Sequence, residues 1–396
     1  MSETAFPDPD VPVDATTPEQ LREWIDAGED VALLDVRVES EFAEWHIDGP
    51  TVETANVPYF DFFEGIDDDL LAQVPEGDPV VVVCAKGGSS EYVAGLLKEA
   101  GIEATNLENG MNGWAGIYEY TELDADTDAT VAQYHRPSSG CLAYLVVSGD
   151  EAAVIDPLRA FADEYLADAK AMGAELTYAL DTHVHADHLS GVRTLDDAGV
   201  ENVIPAAAVA RGVTYADDVL TADDGDTFTV GEVDIEAVST PGHTSGMTSY
   251  LVDDAVLATG DGLFVESVAR PDLEEGDDGA PEAARTLYDS LQERVLSLPD
   301  DVVVGGAHAS DAATPADDGT YTATIGELKE TMDALHLERE EFVELVLSDM
   351  PPRPANYEDI IAANLGQQDL DDAEAFELEL GPNNCAASQN ALTNGD

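Results

Sequence analysis

The segment DTHVHADHLSG (181–191) places three histidines and two aspartates within eight positions of a chain that has eight histidines in all. Imidazole and carboxylate are the donor set of zinc and iron sites. The apolar stretch before it predicts a strand over 177–182 that runs straight into His183, His185, Asp187 and His188. A strand end followed by a tight turn can aim several side chains into one cleft. Three further donors sit in the same kind of place. His243 follows the strand-like IEAVST in a Pro-Gly turn, Asp261 follows VLATG, and His308 follows VVVGGA. Each ends an apolar run in a Gly-rich loop, which is how one edge of a β-scaffold gathers ligands from distant parts of a chain.

The series H-x-H-x-D-H, G-H-T, T-G-D and a late Gly-x-His, spread over about 130–365, resembles the metallo-β-lactamase superfamily. That resemblance implies an αββα sandwich with a metal site at one edge. The segment TGDGLFVESVARPDL resembles the persulfide dioxygenase branch, with Ala269-Arg270-Pro271-Asp272 where that branch carries G-R-x-D, and MPPRPANYEDIIAANLG (350–366) resembles its C-terminal segment. The branch implies one Fe(II) held by His183, His243 and Asp261, with open positions for a thiol persulfide and O2, and sulfite and free thiol as products. Two histidines and a carboxylate on one face are the ligands of non-haem Fe(II) oxygenases. His185, Asp187, His188 and His308 then stand as second-metal or supporting residues. The same residues could build a two-zinc thioester hydrolase of the glyoxalase II type, so the ligand set leaves nuclearity open. Arg270 either binds a substrate carboxylate or pairs with Asp272.

The first 120 residues alternate strand and helix. VALLDVR and PVVVVCA are short apolar runs of the kind that form buried parallel strands, and PEQLREWIDAG and SSEYVAGLLKEAG are helical. Between the second strand and its helix lies CAKGGSS (84–90). A cysteine there sits in a ring of backbone N–H groups at a helix N-terminus, which favours the thiolate. LLDVRVESEFAEWHIDGP and NLENGMNGW resemble the rhodanese family over residues 20–118, with Trp45 and Asn109 where glycines are usual. The resemblance implies that Cys84 carries a transferred sulfane sulfur, with Lys86, Gly87, Gly88 and Ser89 around the substrate and sulfite or thiosulfate as partners. Many relatives have Arg at the position of Ser89. Asp35 and His46 read as structural, Cys141 as core and Cys385 as a tail residue.

The expected class is α/β: a rhodanese-like parallel-sheet domain (1–121), an acidic linker (122–133), a metallo-β-lactamase-fold sandwich (134–375) and a disordered tail (376–396). Helices are expected near 160–172, 188–199, 281–298 and 324–347. A homo-oligomer is left open.

Fifteen Lys and Arg face 85 Asp and Glu, a formal charge of −70, yet 44% of residues are hydrophobic, enough for real cores. Such charge argues against nucleic-acid or anionic-membrane partners. No apolar run approaches the roughly 18 residues of a membrane span. The start MSETAFPDPDVPVD has neither a basic nor an apolar signal region, and three scattered cysteines make no disulfide framework, so the expected location is the cytoplasm. Self-repulsion of this size calls for the salt-rich cytosol of a halophile. The Debye length falls from about 10 Å at 0.1 M to about 3 Å at 1 M salt. Melting temperature should therefore rise steeply with KCl across that range, and a flat profile would remove the argument.

Overall fold

The computed structural model describes residues 9–310, 313–348, 350–381 and 385–387. The chain forms two compact units: the first runs up to Ile117 and takes in a short C-terminal segment at 380–382, and the second starts at Tyr118.

The first unit is a five-stranded sheet in the order Asp14–Thr16, Ala104–Leu107, Val80–Val83, Val31–Asp35, Val52–Asn56, with every neighbouring pair parallel. Val31–Asp35 and Val80–Val83 are buried along their whole length. Alternate side chains enter two cores: Leu34, Val80 and Val82 pack with Val93 and Leu97 of the helix Gly88–Glu99, while Leu33, Val81 and Val83 pack with Leu21 and Trp114. Unbroken valine runs fit because both faces are covered. The central strand ends at Val83, so Cys84 lies beyond the carboxyl ends of parallel strands, where open α/β sheets bind ligands.

The second unit stacks two sheets. One has seven strands in the order Leu220–Ala222, Glu201–Pro205, Glu175–Leu180, Glu151–Ile155, Cys141–Ser148, Thr130–Arg136, Glu119–Glu122. The other has six, Thr227–Val230, Val233–Ser239, Thr248–Val252, Val256–Gly260, Val303–Gly306 and Thr322–Thr324. Between them Leu142, Tyr144 and Val146 meet Ile235, Tyr250 and Val252. On the outer face of the first sheet, Ala143 and Leu145 pack with Tyr165 of the helix Ala162–Ala171. On the outer face of the second, Leu251 and Leu257 pack with Ala284 and Leu287 of the helix Gly276–Ser290 and with Phe342 of the helix Arg339–Ser348. This is the αββα sandwich. Among the described residues no helix is long and apolar enough to cross a membrane.

Four expectations change. The stretch 122–133 is no spacer: Glu119–Glu122 pairs with Thr130–Arg136, and Leu123, Ala125 and Ala129 lean on the inter-sheet core. Its acids hid an alternating apolar face. Residues 376–381 and 385–387 are ordered. The helix Asp372–Leu378 starts on an Asp371/Glu374 capping box, Glu379 is buried on Arg136 and Leu189, and Ala386 bridges to Ala269. A buried carboxylate held by a guanidinium and a backbone N–H fixes what composition marked as loose. The tail beyond 387 lies outside the described residues. The helix near 188–199 shrinks to Val192–Asp196, because 181–190 is spent as the histidine loop. The span 324–347 breaks into Ile325–Thr331, a 3₁₀ turn Asp333–His336, and Arg339–Ser348.

Candidate functional site

His183, His243, Asp261 and His308 all follow carboxyl ends of strands and meet at one edge of the sandwich. Two glycines make the approach possible. A Cβ on Gly242 (φ +150°) would lie 2.4 Å from Leu287 Cα, and one on Gly260 (φ +53°) would lie 2.4 Å from Thr182 Oγ1. Ligand atoms of His183, His243 and Asp261 lie within 4.8 Å of one another in a fully buried group. Asp261 Oδ2 is 3.5 Å from Nε2 of both histidines. None of these three atoms has a hydrogen-bond partner. Buried polar atoms are almost always paired, so three converging orphans mark a place for something that bonds all of them. Donors bound at about 2.1 Å to one ion lie roughly 3.0–3.4 Å apart, close to the spacing here.

The far side of each imidazole sets its tautomer. His243 Nδ1 donates to the Arg270 carbonyl at 2.9 Å, and a carbonyl can only accept. His183 Nδ1 is 2.9 Å from Thr182 Oγ1, and that hydroxyl donates to Asp156 Oδ2 at 2.9 Å. With its single proton committed to a carboxylate, the hydroxyl must accept from His183. Both rings therefore turn an Nε2 lone pair toward the centre. Burial, then repulsion from His185, lowers the His183 pKa to about 4, and burial lowers that of His243. Neutral imidazole is the form that binds metals. Burial alone would raise Asp261, but the charge of His308 beside it holds it well below its ordinary range.

The remaining donors bond chiefly to one another. Asp187 Oδ2 accepts from His188 Nδ1 at 2.8 Å and from His308 Nε2 at 2.6 Å, and His308 Nδ1 donates to Asp261 Oδ1 at 2.7 Å. His308 thus has both ring nitrogens on carboxylates. His185 Nε2 is 3.1 Å from Asp156 Oδ1. His185 Nδ1, Asp187 Oδ1 and His188 Nε2 are buried without partners, so part of a second donor set exists.

Arg270 reaches the site through its carbonyl. Its guanidinium is buried on Asp272 (2.8 and 3.1 Å) and on the carbonyls of Pro351 and Pro352, so the ion-pair alternative fits the structure and the substrate-contact one does not.

Several contributors were not singled out from sequence. Asp156 and Thr182 form the relay just described. The Asn364 amide donates to the carbonyls of His185 and His188 and accepts from Ser190 N, which shapes the histidine loop. That gives the NYEDIIAANLG element a physical task. Cys141 Sγ lies 3.4 Å from Asp187 Oδ2, and buried Cys385 groups with Asp187, Asp261 and His308. Neither cysteine is as remote from the chemistry as its setting in the sequence suggested. Thr182, directly before His183, was the one legible signal.

In the first unit, Cys84 is buried, and Gly87 N and Ser90 Oγ donate to its sulfur at 3.1 and 3.0 Å. Burial opposes ionisation, but hydrogen bonds from the Ser89 and Ser90 hydroxyls and from the N–H groups of Ser90 and Lys86 outweigh it and lower the thiol pKa. The Gly87 φ of +91° begins the helix at Gly88, and Met111 N and Asn112 N clasp the carbonyls of Cys84 and Ala85. Asn109 occupies a left-handed position (φ +57°), one that asparagine tolerates in place of glycine. Trp45 is extended at φ −164° and needs no glycine. Asp35 is held in a buried pair with Arg37, and His46 stacks on Phe42 with Nδ1 2.9 Å from its carbonyl. Alkylation of Cys84 should have its half-maximal rate below pH 9.0, the ordinary thiol value. Ser90→Ala removes a donor to the thiolate, so the midpoint should move up; an unmoved midpoint would show the hydroxyl is not holding the charge.

Such a sandwich with converging His and Asp donors defines a metallo-β-lactamase domain, here preceded by a rhodanese-like unit. Family models agree: the metallo-beta-lactamase superfamily matches residues 137–308 and the rhodanese-like domain matches 17–117. The chain is 31% identical over 238 residues to the mitochondrial persulfide dioxygenase ETHE1 of Homo sapiens, covering 59% of this chain and 86% of that protein. The crystal structure of ETHE1 from Myxococcus xanthus superposes with a TM-score of 0.51 at 28% identity, over 60% of this chain and 98% of that one. A hydroxyacylglutathione hydrolase of Methylococcus capsulatus is also 31% identical, over 66% of this chain and 95% of its own length. The chain belongs to the ETHE1-like persulfide dioxygenase family of the metallo-beta-lactamase superfamily.

Proposed function

We propose that the protein is a mononuclear iron persulfide dioxygenase that oxidises a thiol persulfide with O2 to sulfite and free thiol, joined to a sulfurtransferase module that moves sulfane sulfur through Cys84. The observation that carries the single-metal reading is the contrast between two donor sets. His183 Nε2, His243 Nε2 and Asp261 Oδ2 converge without partners, while both nitrogens of His308 are spent on Asp187 and Asp261. A second ion held through His308 would have to break one of those bonds. When bound, Fe(II) on two histidines and a carboxylate supplies open positions and redox chemistry for persulfide and O2. The chain's own part is to present neutral imidazoles, keep Asp261 ionised and exclude bulk water by burial. His308 holds a proton between Asp187 and Asp261.

The orphan atoms of His185, Asp187 and His188, with the hydroxyacylglutathione hydrolase relative, favour a second reading: a two-zinc thioester hydrolase with an accessory rhodanese-like module. Metal analysis of protein purified without added metal separates them. One iron per chain with persulfide-dependent O2 uptake is expected; two zinc ions with thioesterase activity would overturn the first reading.

Thr182→Val keeps the shape but removes the acceptor for His183 Nδ1–H. Outer-sphere changes of this kind lower metal affinity about 10–100-fold. Thr182→Ser should restore most of it. Competition with a chelator measures both, and an unchanged Thr182→Val affinity would remove the relay from the site.

A further inference from the structure

Cations are scarce in this chain, so a cavity lined by two arginines stands out. Arg159 and Arg193 line a space of about 200 Å³, together with Ser190, Tyr215, Asn364 and Gln368. Arg159 Nε is buried with no hydrogen-bond partner, while its Nη2 donates to the Leu370 carbonyl and to Asp372 Oδ1 at 3.1 and 2.9 Å. Arg193 lies over the Tyr215 ring at 5.1 Å, and its other contacts are marginal: 3.5 Å to the Ala363 carbonyl and 4.0 Å to Asp369 Oδ1. Much of both guanidinium forks is thus unspent. The wall around them is fixed. Ser190 Oγ donates to Asp181, Tyr215 OH to the Asn364 carbonyl, and the Asn364 amide to the histidine loop. These groups shape the space and leave the arginines to supply the charge. Carboxylates are present too: Asp197 and Asp369 line the cavity and Asp372 adjoins it. Asp369 and Asp372 have 98% exposed side chains. Exposed ion pairs are weak, so these carboxylates are easily displaced competitors.

We propose that this cavity binds a small oxyanion between Arg159 and Arg193. A guanidinium presents a planar fork of N–H donors that matches an oxyanion's paired oxygens. A ligand oxygen would also satisfy the buried Arg159 Nε. Sulfite, thiosulfate and inorganic phosphate share the chemistry. Choosing sulfite as the natural occupant rests on the proposed dioxygenase reaction; the site itself does not. Through Asn364 the cavity shares a wall with the loop that carries His183, His185 and His188, so an anion here would sit behind the metal centre.

Calorimetric titration of the full chain with sulfite, thiosulfate and phosphate, at constant ionic strength in chloride, tests this. Saturable one-to-one binding of at least one anion is expected, weakened at least tenfold by Arg193→Gln, a change that sacrifices only marginal contacts. Asp369→Asn removes a competing carboxylate and should tighten binding. Dependence on Arg193 also separates this cavity from the Cys84 loop, which could hold the same anions. A phosphate preference would name phosphate as the occupant and leave the dioxygenase reading untouched. Absence of saturable binding, or binding indifferent to both Arg193→Gln and Arg159→Gln, overturns the proposal.

Discussion

Asp261→Ala is expected to abolish metal binding and persulfide-dependent O2 uptake together. Asp261 has two tasks. Its Oδ2 is the shared neighbour of His183 and His243, and its Oδ1 holds His308. Removing it deletes one of three proposed ligands and the only anionic one. The loss should exceed the roughly 10–100-fold of an outer-sphere change and bring metal content near zero. Deleting one partner of a buried pair also destabilises, by about 3–5 kcal/mol in known cases, so a misfolded variant is the obvious confounder. His243→Ala controls for that. Its ring bonds the Arg270 carbonyl and takes no part in the Asp187–His308 network, so the fold should survive while metal is lost. Metal content is read by elemental analysis and folding by melting of the purified variants. Retention of stoichiometric metal by folded His243→Ala and Asp261→Ala would sink the assignment of the centre.

The donors of that centre were legible because each ends an apolar strand in a glycine loop, and because histidine is rare in this chain. What surrounds them was not legible, for physical reasons. Asp156 and Thr182 belong to different strand ends, and only pairing of Glu151–Ile155 with Glu175–Leu180 makes them neighbours. Asn364 lies about 180 positions from the histidine loop it braces. Cys385 follows a polar stretch, and nothing in its local composition says that its backbone pairs with Arg270 beside Asp261. The acidic segment 122–133 failed differently. Charge count suggested a spacer, while the apolar positions Leu123, Ala125, Ala129 and Val131 already marked a stretch that packs on the core. In a chain with 85 Asp and Glu, acidic residues occur in strands, helices and loops alike, so acidity loses its value as a marker of loops. Scarce cations gain value for the same reason, and the two arginines of the cavity are informative on that ground.

Cys84→Ser is expected to abolish sulfur transfer while leaving O2 uptake with a small-molecule persulfide largely intact. The two halves of this expectation have different grounds. A hydroxyl in place of the thiol meets the same donors, Gly87 N, Ser90 Oγ and the neighbouring N–H groups. Those donors lower the thiol pKa and so favour the thiolate, whereas a serine hydroxyl stays protonated and cannot carry sulfane sulfur. The loop should keep its form, since it is fixed by the backbone bonds of Met111 and Asn112 to Cys84 and Ala85. Preservation of O2 uptake follows from the make-up of the metal cluster. Every described group of candidate ligands lies between Cys141 and Cys385, with none from the first unit. Each site is therefore expected to work without residues of the other. Paired assays on one preparation, sulfur transfer to a thiophilic acceptor and O2 consumption with added persulfide, read both halves. A parallel fall in O2 consumption would mean that Cys84 delivers every sulfur atom to the metal centre, and the picture of two independent sites would have to be replaced by an obligate relay.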